Sequence, residues 1–450
     1  MNIKNTRVKH IIATSLCIFS ATSSANIVRV DQVLGQLNPI EQRIEQTIER
    51  AKRLPLPVPE PQVSIDELEL KAQISEPISS LPNVLNININ SQNTAFVEVE
   101  LENGFRAIER QWLLMANSQQ LNTLKQQNVT IVSVKNYNAL NMSLVRFNVP
   151  QGVNSKSELL KALNLDESAI LDRNHIYQAQ TGEPTEKVTP NNSIAPYCTQ
   201  SVKIGMIDSA INTKHSAFEG ANITTQSFLP QGLSSPNLHG TAIAGLITGK
   251  GAKLSPLLGN AKLYSAEVFY RQSEYAQGAT LFAIVEALNW LVSKKIPVIN
   301  MSLTGPNNAV LEASITAAIK QNVLIVAAAG NQGPASQPLY PGAYKSVIAV
   351  SAIDSKNHIY RWSNKGDYID FAALGVNVVT SQGNGKFGRE SGTSMAAPHV
   401  SAALSCLLLK HGNNKTKALN ELTSLAVDLG EQGKDTTFGY GAIYPPKSAL

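Results

Sequence analysis

Beyond residue 200 the chain carries five short, largely apolar runs: VKIGMID, KLYSAEVF, PVINMSL, VLIVAAAG and SVIAVSAI. Between them lie ATLFAIVEALNWLVSKK and AVLEASITAAIKQN, whose apolar residues recur at helical spacing. A strand without a polar face has to be covered on both sides. The pattern therefore predicts an α/β fold, a mainly parallel twisted sheet with helices on both faces. In such sheets ligands bind beyond the carboxyl ends of the strands. Asp208 closes the first run there, and Asn331 follows VLIVAAAG.

At 450 residues the chain is too long for one ordinary domain. Its beginning reads as an export signal over residues 1–25, with Lys4, Arg7 and Lys9 before a short apolar stretch that ends in small residues. Residues 26–103 hold an amphipathic stretch around Ile40, Ile44 and Ile48, then the proline-rich LPLPVPEPQ, then a weakly patterned part expected to be only partly ordered. Such a segment suits a protein partner. Residues 104–180 read as strand, helix, strand, strand, helix, strand, a smaller α+β unit of split βαβ (ferredoxin-like) type. Ser155 and Glu158 in it are spaced as a capping box. Residues 181–199 read as an exposed linker before the main domain, residues 200–450.

A formal net charge of +5 with no dense basic cluster argues against nucleic acid. Outside the signal only Cys198 and Cys406 remain, and the sequence leaves a bridge and two buried thiols equally open.

The stretch GTSMAAPHV, residues 392–400, opens a helix made of small residues. By itself this stretch favours a helix cap at Ser394 over a nucleophile. A nucleophilic hydroxyl needs a base, and the base an orienting carboxylate. Of seven histidines, His10 lies in the signal, His175 in the smaller unit, and His358 and His411 in polar surroundings. That leaves His215, His239 and His399. His239 opens HGTAIAGLITG, a glycine-rich helix start from which a ring can face a cleft. His399, five residues after Ser394 on the same helix, is badly placed for a base. Asp208, ending a buried strand, requires a partner.

Six segments, IGMIDSAI, HGTAIAG, VINMSLTGP, VAAAGNQG, YPGAYKSVIAVSA and GTSMAAPHV, resemble in order the signatures of the subtilisin-like serine proteases, over residues 200–450. The order Asp, His, Ser is that of subtilisin. The resemblance implies a serine endopeptidase acting on proteins or peptides, without cofactor or metal. Asp208 would orient, His239 serve as general base and acid, and Ser394 attack. Asn331 would hold the oxyanion together with the Ser394 N–H. Ser302, Leu303, Thr304 and Gly305 resemble the edge segment that pairs with an extended substrate. With Ala328, Ala329 and Gly330 they would rim the pocket for the residue before the cut.

Leu339 stands where several members have glycine at the floor of that pocket, which predicts a preference for small or medium residues. Ala217 stands where a calcium-binding aspartate is expected, and Lys250 and Lys253 occupy the short loop after GLITG, so no calcium dependence is expected there. The smaller unit resembles the family propeptide only in its split βαβ order. That implies an intramolecular chaperone and inhibitor, removed by self-cleavage in the linker. The alternatives are a catalytically idle binding or regulatory relative and an esterase. The G-x-S-x-G elbow usual in esterases is absent around Ser394.

Overall fold

Continuously apolar strands stack side by side in this molecule, and helices close over both faces. A computed structural model describes residues 81–153, 155–179, 195–251, 254–274 and 276–446. All of these belong to one compact unit, residues 77–450. The export signal, the amphipathic stretch, the proline-rich spacer and most of the linker lie outside the described residues.

The leading part runs β1 (Val84–Asn90), β2 (Asn93–Glu100), β3 (Arg106–Met115), α1 (Ser118–Lys125), β4 (Thr130–Tyr137), β5 (Met142–Asn148), α2 (Lys156–Ala162) and β6 (Leu171–Ala179). Both helices begin in a capping box, Asn117 with Gln120 and Ser155 with Glu158. The weakly patterned stretch before residue 103 is a correction to the sequence reading, because its last part is an antiparallel hairpin, β1 on β2. Its alternation of isoleucine with asparagine obscures the strand, since asparagine is depleted in sheets.

The main part continues with β7 (Cys198–Asp208), β8 (Asn222–Ser227), α3 (Leu238–Thr248), β9 (Leu258–Glu267), β10 (Phe269–Arg271), β11 (Gln277–Thr280), α4 (Leu281–Ser293), β12 (Val298–Met301) and β13 (Leu303–Thr304). Then follow α5 (Ala309–Lys320), β14 (Leu324–Ala328), β15 (Ile348–Ile353), β16 (Ile369–Leu374), the hairpin β17 (Val378–Ser381) and β18 (Phe387–Glu390), α6 (Thr393–Lys410), α7 (Lys415–Leu425) and β19 (Ala442–Ile443). The central sheet has the order β19-β16-β15-β14-β12-β7-β9-β8, and every pairing in it is parallel.

One apolar core packs α3 and α6 under this sheet, through residues such as Ile243, Ile247, Val400 and Leu404. A second packs α4 and α5 over the other face, through Ile284, Leu288, Leu311 and Ile315. Leu113, Leu144 and Tyr177 of the leading part belong to this second core. Polar contacts fasten the same junction. Asp172 accepts from Ala309 N at 3.0 Å, and Asn174 accepts from Phe282 N at 3.0 Å. Both acceptors meet the first turn of a helix, where N–H groups lack internal partners. The Arg146 guanidinium lies over the Phe282 ring at 4.2 Å.

Cys198 and Cys406 are joined, with Cα atoms 5.9 Å apart, so the bond ties the start of β7 to the C-terminal part of α6. Of the two states the sequence left open, the structure has the bridge.

Candidate active site

Asp208 is the last residue of β7 and is wholly buried. One oxygen, Oδ1, accepts from the Ser209 N–H at 2.7 Å and from His239 Nδ1 at 2.7 Å. The ring reaches Asp208 because α3 starts hard against the turn that follows β7. A Cβ on Gly240 would stand 2.2 Å from the Ser209 carbonyl oxygen, so only glycine permits this approach. The Gly240 N–H also donates to Ser209 Oγ at 2.8 Å. His239 is itself buried, and its Nε2 makes no hydrogen bond.

Burial works against a charged ring at His239. The Asp208 charge, the hydrogen bond to it and the charge of Glu390 outweigh burial, so the pKa lies above the ordinary histidine value. Glu390, at the end of β18, accepts from Gln382 Nε2 at 3.1 Å, and its own pKa is raised chiefly by burial. The sequence reading missed Glu390. Its only signal was a charge four residues before Ser394.

Ser394 is the second residue of α6 and is buried. The helix starts at Gly392, whose φ of 139° excludes other residues in practice. Gly392, having no side chain, offers no cap of its own to this end. The Ser394 carbonyl accepts from Ser302 Oγ at 3.1 Å, and Ser302 Oγ accepts from Asn300 Nδ2 at 2.9 Å. Asn300 Oδ1 accepts from Ser401 Oγ at 3.0 Å. This buried chain links Asn300 of β12 and Ser302, just before β13, to α6, and sequence reasoning missed Asn300 and Ser401 in it.

Asn331 turns its side-chain oxygen to α6, accepting from Thr393 N at 3.0 Å and from Thr393 Oγ1 at 2.9 Å. The planar amide then directs its NH2 to the opposite side. Gly330 supplies the turn before it with φ 114°, and its N–H donates to Thr393 Oγ1 at 3.1 Å. A Cβ there would lie 2.8 Å from Leu339 Cδ1.

A cavity of about 360 Å³ lies over this rim, lined by Thr304, Gly305, Gln332 and Leu339 of the main part and by Phe105 and Gln178 of the leading part. Of the expected pocket residues, Ser302, Leu303, Ala328, Ala329 and Gly330 are not among its lining. Ser302 and Leu303 are fully buried, and Ala328 pairs with Val350 inside the sheet. The rim strand is occupied. β6 runs antiparallel to β13, with Leu303 opposite Ala179 and Thr304 opposite Gln178. On its other side β6 pairs with β11, Ala279 opposite Tyr177. The Tyr177 hydroxyl donates to the Pro306 carbonyl at 3.0 Å.

The other histidines do different work. Both His399 ring nitrogens are buried without a partner, and burial pulls its pKa down to about 4. His215 accepts from Ala217 N at 2.9 Å and donates to the Lys386 carbonyl at 2.9 Å. His175 Nδ1 accepts from Asn308 Nδ2 at 2.8 Å. Among the described residues no group of acids, histidines or cysteines is arranged to hold a metal, and no helix is long and apolar enough to cross a membrane.

A parallel α/β sheet with an aspartate at a strand end, a histidine and a serine at two helix starts, in that chain order, defines the subtilisin-like class of serine proteases. The model of the Subtilase family matches residues 199–441, more than half of the chain, and the chain belongs to that family. It is 31% identical over 248 residues to the minor extracellular protease Epr of Bacillus subtilis (strain 168), covering 54% of this chain and 38% of that one. It is 32% identical over 257 residues to subtilisin DY of Bacillus licheniformis, covering 54% of this chain and 89% of that one. The chain thus spans about two fifths of the length of Epr. Fervidolysin from Fervidobacterium pennivorans, a keratinolytic enzyme related to subtilisin, is similar in structure with a TM-score of 0.62 at 20% identity, over 82% of this chain and 64% of that one. That likeness bears on the fold alone.

Proposed function

We propose that the chain is the precursor of an exported serine endopeptidase whose site is held shut by its own leading part. The observation that carries this reading is the position of β6, an extended strand lying antiparallel between β11 and β13, whose Gln178 shares a cavity with Thr304, Gly305, Gln332 and Leu339. An extended substrate binds in this way, by adding a strand and using main-chain hydrogen bonds. The leading part then acts as a substrate-like inhibitor.

In the proposed reaction Ser394 Oγ bonds to the carbonyl carbon of the scissile peptide while its proton passes to His239 Nε2. Asp208 holds the ring in the tautomer that bares Nε2 and stabilises the imidazolium. The carbonyl oxygen, now negative, accepts from the Ser394 N–H at the start of α6 and from the Asn331 NH2. Its carbon–nitrogen bond breaks as His239 returns the proton to the leaving amine. Water repeats the sequence on the acyl ester and frees Ser394. The Nε2 of His239 makes no hydrogen bond in the present state.

Export rests on the basic, then apolar, start of the chain, residues 1–25. The relative Epr is named as an extracellular protease. The test is a fluorophosphonate probe with N-terminal sequencing of the exported protein. The expected result is covalent labelling of the wild type, none of Ser394→Ala, and a shortened N-terminus only in the wild type. A labelled Ser394→Ala protein, or one processed like the wild type, would overturn the reading.

A further inference from the structure

The hairpin β1–β2 lies outside the split βαβ unit, yet it reaches the main part of the molecule. The antiparallel sheet runs β1-β2-β3-β6-β11-β10, and it curls enough for side chains of β2 to meet those around β10. Glu98 of β2 is wholly buried. Its Oε1 accepts from the Tyr270 hydroxyl at 2.7 Å. Its Oε2 accepts from Arg106 Nε at 2.8 Å and from Gln272 Nε2 at 2.8 Å. One partner, Arg106, therefore belongs to the leading part, and two belong to the main part. Phe96 packs edge-on against Tyr270, with ring centroids 5.0 Å apart. Ile87 joins Ile108, Ile176 and Tyr270 in a small buried cluster flanked by Leu229 and Leu233. Ile89 stands where a Cβ on Gly232 would come within 2.5 Å.

A carboxylate is not buried without ionic and hydrogen-bonding partners. Here the set is completed only when both parts of the chain are in place. We infer that the hairpin β1–β2 is a second docking element of the leading part, whose partner is the Tyr270–Gln272 edge of the processed protease. The inference rests on the inhibitory reading given above. After a cut beyond β6 the two parts are held by non-covalent contacts, and withdrawing β6 from the rim is then not sufficient for release. Glu98 must also leave Tyr270 and Gln272, and the apolar cluster must open. The length of the inhibited phase is set by this remote contact as well as by the strand in the site.

The experiment follows the rate at which a fluorophosphonate probe labels Ser394 in the full chain. It compares the wild type, Tyr270→Phe, Glu98→Gln and the double variant, before and after limited thermolysin digestion has removed the leading part. Before digestion each single variant is expected to label at least tenfold faster than the wild type, and the double variant no faster than the faster single. After digestion all four should label alike. Should Glu98→Gln fail to fold, Tyr270→Phe, which removes one hydroxyl from the opposite side, still gives the reading. Wild-type labelling rates in the single variants would overturn the docking element. So would a difference that persists after digestion, since Tyr270 would then act on the site directly. If no chain labels even after digestion, the protease reading itself fails and the docking element falls with it.

Discussion

Gly240 and Ser209 touch main chain to main chain, and this contact sets where His239 stands. A side chain on Gly240 would collide with the Ser209 carbonyl oxygen at 2.2 Å and with the Ala210 carbonyl oxygen at 2.6 Å. The start of α3 would have to lift, carrying the His239 ring off Asp208. Gly240→Ala is expected to lower kcat/KM by at least ~10², the scale on which a misplacement of about 1 Å acts. Peptide hydrolysis measured beside thermal unfolding checks this, and the loss of rate should far exceed any loss of stability.

Asn331 is held by Thr393 in an orientation that suits an oxyanion donor. Asn331→Ala should reduce kcat by ~10²–10³ with KM little changed, the range that losing the corresponding donor costs in subtilisin. Steady-state kinetics on the processed enzyme would show a KM effect instead if the residue only shaped the pocket.

Glu390 adds negative charge near His239 and helps raise its pKa. Activity needs the neutral ring, so a raised pKa places the acid limb of the pH profile above the ordinary histidine value. Glu390→Gln removes the charge, makes protonation harder and lowers that pKa. The acid limb of kcat/KM should therefore move to lower pH, while the alkaline side keeps its position. An unmoved limb would mean that solvent screens Glu390 from the ring in the open enzyme.

Leu339 lies against Gly330 at the cavity over the rim. Leu339→Gly should deepen the pocket. The ratio of kcat/KM for substrates with Phe before the cut, relative to Ala, should then rise by at least ~10-fold. A peptide library cleaved by both proteins gives the comparison, and a wild type that already favours Phe or Tyr would refute the assigned floor.

The Cys198–Cys406 bond closes a loop of 208 residues in sequence separation. Cys198→Ser should cost ~2–5 kcal/mol of stability, the usual range for a native bridge. Urea unfolding of the variant and of the reduced wild type should give the same loss.

The parallel sheet was legible because strands buried on both faces leave no polar period, and VLIVAAAG or VINM can hardly serve elsewhere. The catalytic candidates were named through the resemblance of short segments such as HGTAIAG and GTSMAAPHV, in which glycine and alanine mark where backbones crowd. The hairpin β1–β2 was not, because its asparagines look like loop residues until Ile87 finds Ile108 and Ile176. Nor could Glu390 or Glu98 be distinguished from surface acids, since a carboxylate acquires its role from the partners that folding brings.

Local pattern follows from the order of residues alone, so element types, their alternation and the chain order of Asp208, His239 and Ser394 could be read without coordinates. Contacts between residues far apart in the chain depend on how strands are laid beside one another. The pairing of β6 with β11 and β13, the Cys198–Cys406 bond and the burial of Glu98 against Tyr270 came from that assembly. Their energies arise from burial and from geometry between distant segments, which no single stretch of sequence carries.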